Sequence, residues 1–254
     1  MLRFRRDGAG SAPQAGRVSA EMNYITEGFF QAIGLILSMN EETWSAVTVT
    51  LKLTALSMFV TLSAGLPLGF LLGYFDFRGK RAVRTVVDTL LALPTVVVGL
   101  LVYAFISNRG PLGSYQLLFT IRGMAVGQTI LALPIVVALT ASAVESLDNR
   151  LKATLATLGA GGWRMAASCL TECRFALLVA AMTAYGRIVA EVGVSMMLGG
   201  NIKWHTRTIT TAITLETGKG DFALGMALGI LLLAVSFVLN AALSFLRRRA
   251  EVQQ

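Results

Sequence analysis

Long apolar runs alternate with short polar segments along the chain, and five of the runs are long enough to cross a bilayer. A spanning helix needs roughly 20 mainly apolar residues to cross about 30 Å of hydrocarbon. The five runs cover residues 46–74, 83–106, 123–144, 175–198 and 222–246. This pattern predicts an all-α fold, a polytopic membrane helix bundle with about five transmembrane helices.

A shorter apolar run, FFQAIGLILSM at residues 29–39, precedes the first span. It is too short to cross a membrane, so we expect residues 22–45 to form an external segment that lies in the interface or packs on the bundle. The alternative is a sixth span that includes this run and places the N-terminus inside, although Asn40, Glu41 and Glu42 interrupt it.

Residues 1–21 form a polar leader rich in glycine, alanine and serine, without the apolar core that signal peptides have. We expect this leader to be disordered, or Met22 to be the natural start of the protein. The intact mass of protein expressed from its own promoter distinguishes these two cases. The transmembrane domain then occupies residues 46–250.

Composition places the chain in the membrane class. Hydrophobic residues make up 55% of the 254 residues and charged residues 14%, whereas soluble domains carry about 25% charged residues. The formal charge of +8 arises from short basic clusters between apolar runs and not from one amphipathic face. The pattern therefore indicates contact with membrane lipid and no nucleic-acid partner.

The positions of the basic residues predict the orientation of the bundle. Alternate loops are richer in lysine and arginine, and this richer set contains residues 78–84, 150–174 and 247–249. Because cytoplasmic loops carry an excess of these residues, we expect a cytoplasmic C-terminus and an external N-terminus.

The tetrapeptide LALP occurs twice, at residues 91–94 and 131–134, within the second and third apolar runs. Proline removes a backbone hydrogen bond and bends a helix, so Pro94 and Pro134 are expected to mark bends. Two bent helices would line a path that opens and closes, or the prolines simply shape the bundle. The sequence leaves both interpretations open.

The longest cytoplasmic loop, residues 145–174, is predicted to be a helix, a glycine turn and a second helix. Stretches 148–158 and 163–173 flank GAGG at residues 159–162, where glycine permits the backbone angles of a sharp turn. The first stretch carries leucines at helical spacing, which suit either a groove on a partner or the protein's own bundle. These leucines are Leu151, Leu155 and Leu158.

This loop resembles the coupling loop of ABC-transporter permease subunits, through TLGAGGWR at residues 157–164. Residues 153–155 read Ala-Thr-Leu where that family has Glu-Ala-Ala, and residues 171–172 read Thr-Glu where Leu-Pro is common. The resemblance implies that an ATPase subunit docks on this loop. The coupling residues that it implies are Leu151, Ala153, Thr154, Leu155, Leu158, Gly159 and Ala160.

A second block, residues 186–229, contains EVG, GGNI, TR, TTAI and LET. It is similar to the permeases of tungstate and molybdate importers, most of all to the tungstate type, and the similarity extends over the chain from Met22 onward. The resemblance implies the ABC importer permease fold of the molybdate/tungstate type. It also implies import of tungstate into the cytoplasm, with molybdate or sulfate as alternatives.

The same resemblance implies a location and a set of partners. The location is the cytoplasmic (inner) membrane of a prokaryote. The partners are a second copy of the chain in a homodimer, two ATP-binding cassette ATPase subunits that use ATP and Mg, and an extracytoplasmic oxyanion-binding protein.

Two charges lie inside the fourth apolar run. Arg187 and Glu191 are four residues apart, so on one continuous helix they would share a face and pair. Burying either charge alone costs roughly 2.5 to 3.5 kcal/mol on insertion scales, and pairing reduces this cost. The resemblance implies a place for the pair on the translocation path or its gate, and a purely structural ion pair is the alternative.

The outer loop after this run adds further candidates, because cations and hydroxyl groups at an entrance steer and relay a divalent tetraoxyanion. Lys203 and the single histidine, His205, lie in this loop, and residues 210–216 are expected to form a short helix. The remaining candidates for the path or gate are Gly193, Asn201, Arg207, Thr210 and Thr211.

No catalytic or metal site is predicted. The chain lacks the phosphate-binding pattern G-x-x-x-x-G-K-[ST], and one histidine provides no credible Ser-His-Asp set. Cys169 and Cys173 lack the further ligands of a tetrahedral metal site. We therefore expect a transport subunit that is not an enzyme and has no cofactor of its own.

Two rival functions come from other classes of protein. An ion-gradient-driven secondary carrier also has charges within spans and bent helices, and it needs no neighbouring genes for an ATPase or a binding protein. A non-transporting membrane assembly factor would show no dependence on a substrate.

Overall fold

The computed structural model describes Thr26, Phe29, Phe30, Ile33, Gly34, Thr157 and residues 41–148 and 161–252, the side chains of 242, 243 and 246–252 excepted. The predicted leader and the seven implied coupling residues lie outside the described residues. The main helices are α1 (Glu41–Tyr74), α2 (Lys80–Leu91), α3 (Thr95–Ile106), α4 (Ile121–Glu145), α5 (Gly162–Glu172), α6 (Arg174–Val189), α7 (Gly193–Gly199), α8 (Ile209–Gly218) and α9 (Phe222–Val252). A short 3₁₀ turn, Gly113–Tyr115, lies between α3 and α4.

In this described part, three helices are long and apolar enough to cross a membrane, namely α1, α4 and the stretch Phe222–Ala241 of α9. Two helix pairs meet the same criteria together but are bent, by 101° between α2 and α3 and by 73° between α5 and α6. If each bent pair is one span, the helices provide five spans, which is the number expected from the sequence, although the second pair joins α5 to α6 and does not coincide with the predicted run 175–198.

Two of the predicted spans are not continuous helices. The run 83–106 is divided between α2 and α3, and the run 175–198 is divided between α6 and α7, which residues 190–192 separate. Each run is apolar on both sides of its break. Hydropathy therefore predicts that these residues lie in a membrane but does not predict where the helix is interrupted.

The two LALP sequences have different structures. Pro94 has an extended backbone directly before α3, and the chain bends by 101° at this break. Pro134 is buried within α4, which packs against α1, α6 and α7. Because neighbouring helices can hold a proline-containing helix in a membrane, packing explains why α4 continues through its proline.

The packing of α1 against α4 depends on glycines spaced four residues apart, Gly65, Gly69 and Gly73. A Cβ atom at Gly69 would lie 2.6 Å from Cβ of Thr140, and a Cβ atom at Gly73 would lie 2.6 Å from the carbonyl oxygen of Ala141. Small residues at this spacing allow helix backbones to approach closely in membranes. The repeated G-x-x-x-G pattern is the signal in the sequence for this close approach.

Helix α7 is a short buried wedge between α3 and α4. Val194 and Leu198 are fully buried in one apolar cluster with Val102, Ile106 and Met124. This packing fixes the position of the chain break that precedes α7, which is where the buried charge lies.

Candidate functional site

The Glu191 carboxylate lies in the break between α6 and α7 and is only 5% exposed. Its Oε1 atom accepts a hydrogen bond from the backbone N–H of Val194 at 3.0 Å. The prediction that Glu191 pairs with Arg187 on one continuous helix is therefore wrong. Because α6 ends at Val189, the four-residue spacing no longer places the two side chains on one helix face, and Glu191 caps α7 instead.

The starts of three helices lie close to Glu191 or to its neighbour Gly193. A Cβ atom at Gly193, the first residue of α7, would lie 3.4 Å from Oε1 of Glu191 and 3.2 Å from Oγ1 of Thr95, the first residue of α3. In the first turn of α8, the Thr210 hydroxyl donates to the Glu191 carbonyl oxygen at 3.2 Å. We call Thr95, Glu191, Gly193 and Thr210 the Glu191 junction.

The Glu191 junction explains how a charge is accommodated in an apolar run. A buried charge is costly unless hydrogen bonds or opposite charge compensate it. The N-termini of helices carry partial positive charge, and at the start of α7 the backbone N–H of Val194 donates to the Glu191 carboxylate. A backbone N–H at the start of α7 thus provides a partner for the carboxylate, which was expected to pair with Arg187.

Helix α8 confirms the short helix predicted over residues 210–216 and begins with a capping box. The Thr208 hydroxyl accepts from the Thr211 backbone N–H, and the Thr211 hydroxyl accepts from the Thr208 N–H. The N–H of Ile209 donates to Oγ1 of Thr50 on α1 at 3.0 Å. Thr211 is fully buried, and its described contacts cap α8. Thr210, by contrast, belongs to the Glu191 junction.

Asn201 connects the turn after α7 to α8. Its backbone has a φ of 50°, a left-handed conformation that asparagine tolerates better than most residues. Its side-chain Nδ2 donates to the Thr211 carbonyl oxygen at 3.3 Å, and its Oδ1 atom is buried without a hydrogen-bond partner among the described residues.

Arg207 lies in a separate charged cleft at the start of α1. Its Nη1 atom is 2.5 Å from Oε1 of Glu42, and Nζ of Lys203 is 2.6 Å from the other oxygen of the same carboxylate. Glu216 and Lys219 form a second ion pair at 2.9 Å in the same cleft, whose volume is about 360 Å³. The loop cations that the sequence analysis had assigned to steering an oxyanion therefore each have a carboxylate partner.

A buried polar chain that the sequence analysis missed joins three helices. Ser57 on α1 donates to Oε1 of Gln128 on α4 at 2.9 Å, and Nε2 of Gln128 donates to the Ser195 hydroxyl on α7 at 3.2 Å. All three side chains are buried. Interhelical hydrogen bonds of this kind stabilise membrane bundles by about 1 kcal/mol each. Gln128, an amide inside an uncharged span, was the available signal.

The sequence of the chain matches the family described as binding-protein-dependent transport system inner membrane component over residues 65–252. This chain belongs to that family. It is therefore a membrane-embedded component of a transport system, as its apolar helices indicate.

Relatives of this family member include proteins named for tungstate and molybdenum. It is 47% identical to the tungstate uptake system permease protein TupB of Campylobacter jejuni, over 89% of this chain and 95% of that protein. It is 35% identical to TupB of Peptoclostridium acidaminophilum, over 87% and 97%. The molybdenum transport system permease protein ModB of Escherichia coli is 28% identical, over 72% and 84%.

Solved structures show the fold of the family member. A bacterial ABC transporter involved in alginate import matches with a TM-score of 0.72 and 20% identity, over 91% of this chain and 89% of that chain. The inward-facing MetNI methionine ABC transporter matches with a TM-score of 0.68 and 19% identity, over 84% and 98%. The all-α ABC importer permease fold expected from the sequence is confirmed.

Proposed function

We propose that the chain is the membrane-spanning permease subunit of an ATP-driven ABC importer that carries tungstate into the cytoplasm. The observation that carries this proposal is the 47% identity to a tungstate permease over 89% of the chain. The molybdenum permease of Escherichia coli, at 28%, and a sulfate permease of the same organism, also at 28%, are more distant. This ranking supports tungstate first and molybdate second.

The partners proposed for this importer are a second copy of the chain, two ATP-binding cassette ATPase subunits and an extracytoplasmic oxyanion-binding protein. ATP and Mg are used by the ATPase subunits and not by this chain, since its sequence lacks a phosphate-binding loop. The basic loops support a cytoplasmic C-terminus. Membrane lipid surrounds the bundle, which suits outward apolar side chains such as Phe59, Leu233 and Phe237, all at least 70% exposed.

The Glu191 junction is the proposed gate element. Three short helices begin there, so a small displacement of α7 relative to α3 or α8 changes contacts at a single point. A fixed carboxylate repels a divalent oxyanion, so Glu191 does not bind the substrate. Its proposed role is to hold the N-termini in place while the bundle alternates between outward-open and inward-open states.

Energy reaches this gate through the segment 151–160, which is proposed to dock on the ATPase. Closure of the ATPase dimer would move this segment and with it the adjoining helices. On the C-terminal side of the segment, Trp163 near the start of α5 is 82% exposed.

Elemental uptake tests the proposed function. Cells with and without the gene are given submicromolar tungstate, molybdate and sulfate, and cellular tungsten, molybdenum and sulfur are measured before and after ATP depletion with the ion gradient clamped. We expect loss of ATP-dependent tungsten uptake in the cells without the gene. Loss of molybdenum uptake alone would replace tungstate by molybdate, and uptake that survives ATP depletion would support the secondary carrier.

A further inference from the structure

An ion-pair cluster lies at the opposite end of α4 from the residues that contact α7. Glu145 is the last residue of α4, and each of its carboxylate oxygens faces a different cation of α2. Nη1 of Arg84 is 3.0 Å from Oε2, and Nζ of Lys80 is 3.2 Å from Oε1. Nη2 of Arg84 also donates to the Ser142 hydroxyl, one turn earlier on α4, at 2.5 Å.

Lys80 extends the cluster to the end of α1. Its Nζ atom is 3.1 Å from Oδ1 of Asp76 and donates to the carbonyl oxygen of Gly73 at 3.4 Å. Burial alone would lower the pKa of Lys80, but its hydrogen bonds to Asp76 and Glu145 and the charges of these carboxylates raise that pKa above its usual value. Lys80 is therefore a cation at physiological pH, and one cluster joins α1, α2 and α4.

Helix α2 has little else to hold it in place within the described structure. None of its described residues is buried. Only Val87, which is partly buried, packs against a core cluster, which consists of Leu72, Val137 and Ala141. An isolated surface ion pair contributes little to stability, whereas networks of charges with good geometry contribute more. The cluster of Lys80, Arg84 and Glu145 is accordingly the main polar attachment of α2 to the bundle.

The location of this cluster gives it mechanical significance. Glu145 is the first residue of the loop 145–174, which contains the proposed ATPase-docking segment. Helix α2 leads through the 101° bend into α3, whose first residue, Thr95, belongs to the Glu191 junction. The cluster is thus the point at which the end of α4 is tied to the helix pair that reaches the gate.

We propose that Lys80, Arg84 and Glu145 form a positioning clamp, which transmits movement of the ATPase-docking segment through α2 and α3 to the Glu191 junction. This inference rests on the proposed function of the chain. The clamp residues act through the helices that they hold and do not contact the transported anion. Breaking the clamp should leave ATP hydrolysis running while transport per ATP falls.

Charge reversal tests the clamp in the complete transporter. Arg84→Glu places a carboxylate beside Glu145 and Asp88, and Glu145→Arg places a cation beside Lys80 and Arg84, so each single variant breaks the pair between Arg84 and Glu145. The double variant restores an opposite pair. Arg81→Glu is the matched control, because Arg81 lies on the same helix, is exposed and takes no part in the clamp.

The readouts are ATP hydrolysis stimulated by the binding protein and tungstate accumulated in proteoliposomes. We expect each single variant to lower tungstate transported per ATP by about tenfold, within the usual range of coupling between sites, and the double variant to recover most of it. The clamp would be overturned if Arg84→Glu transported as much tungstate per ATP as Arg81→Glu does. It would also be overturned if the double variant did not recover transport per ATP. No ATP-dependent tungstate transport by the wild-type complex would instead refute the proposed function.

Hydrogen–deuterium exchange provides a readout that does not depend on transport. Exchange reports local opening of a helix, so the amides of residues 80–91 should exchange faster in Arg84→Glu than in Arg81→Glu, and the double variant should return toward the wild type. Equal exchange in Arg84→Glu and Arg81→Glu would contradict the clamp even if the substrate were not tungstate.

Discussion

The Glu191 carboxylate accepts a hydrogen bond from the backbone N–H of Val194 at 3.0 Å, and this contact makes a buried charge part of the start of α7. Acidic groups at a helix N-terminus satisfy free N–H groups and interact favourably with the helix dipole. Glu191 therefore stabilises the arrangement of helices at the proposed gate, and it does so without a side-chain partner of opposite charge among its described contacts.

Substitutions at Glu191 separate the hydrogen bond from the charge. Glu191→Gln keeps a side-chain oxygen that can accept from Val194, whereas Glu191→Ala removes it. Loss of a cap costs about 0.5 to 2 kcal/mol, so we expect Glu191→Ala to lower the thermal midpoint of the purified protein and to impair uptake, with Glu191→Gln close to the wild type in both.

Arg187→Met is the matched variant for this test. The side chain of Arg187 is not held by Glu191 in the structure, so this change should leave the thermal midpoint within the range of an ordinary surface substitution. If Glu191→Ala folds and transports normally, the junction has no role in the gate. If Glu191→Gln is as defective as Glu191→Ala, the negative charge matters more than the cap.

The glycines of α1 are expected to tolerate no larger side chain. Gly69→Ala forces a methyl group to within 2.6 Å of Cβ of Thr140, and overpacking of this kind typically costs about 1 to 3 kcal/mol. Thermal unfolding of the detergent-solubilised protein measures the loss. Gly229→Ala is the control, because nothing lies within 4 Å of a Cβ atom there, and equal midpoints for the two variants would disprove the close approach of α1 and α4.

The amide of Gln128 is expected to hold α1, α4 and α7 together. Gln128→Leu preserves approximate volume but removes the hydrogen bonds to Ser57 and Ser195. Because such bonds contribute about 1 kcal/mol each in membrane proteins, the variant should unfold at a lower temperature than the wild type. An unchanged midpoint in the same detergent would show that the two serines find other partners at no cost.

A charge at Gly159 is expected to disable coupling. Gly159→Asp adds a Cβ atom and a carboxylate at the predicted turn, where glycine was expected for its conformational freedom. Tungstate uptake should be abolished while the amount of protein inserted in the membrane is unchanged. Uptake equal to that of the wild type, at equal membrane abundance, would refute the assignment of this loop to the ATPase contact.

The apolar runs predicted the helices α1, α4 and α9. In the hydrocarbon of a membrane, backbone N–H and C=O groups find no water and are therefore hydrogen-bonded within a helix. The bend before α3 was expected from Pro94 and is confirmed, whereas nothing in the apolar run 175–198 predicted the break before α7. Pro94 and Pro134 both follow Leu-Ala-Leu, yet the helix is interrupted only at Pro94. The packing of neighbouring helices on α4 explains why that helix continues through Pro134.

Three of the residues predicted for the path or gate lie together in the structure, but their contacts were not predicted. Residues Glu191, Gly193 and Thr210 do meet, because α7 and α8 both begin near the break after α6. The pairing of Arg187 with Glu191 failed because the spacing rule assumes an unbroken helix. The role of Thr211 as a cap depends on α8 beginning directly after Thr208, where the N–H of Ile209 also donates to Thr50 on α1.

Transport by the reconstituted complex is the direct test of the proposed function. Proteoliposomes that contain this chain and its ATPase, with ATP inside and binding protein and tungstate on the opposite side, are assayed for trapped tungsten after all ion gradients are collapsed. We predict that tungsten accumulates with ATP and not with a non-hydrolysable analogue, and that sulfate in equal amount does not reduce it. Accumulation that ignores the nucleotide, or no accumulation from a complex that hydrolyses ATP, would contradict the assignment of this chain as a tungstate importer permease.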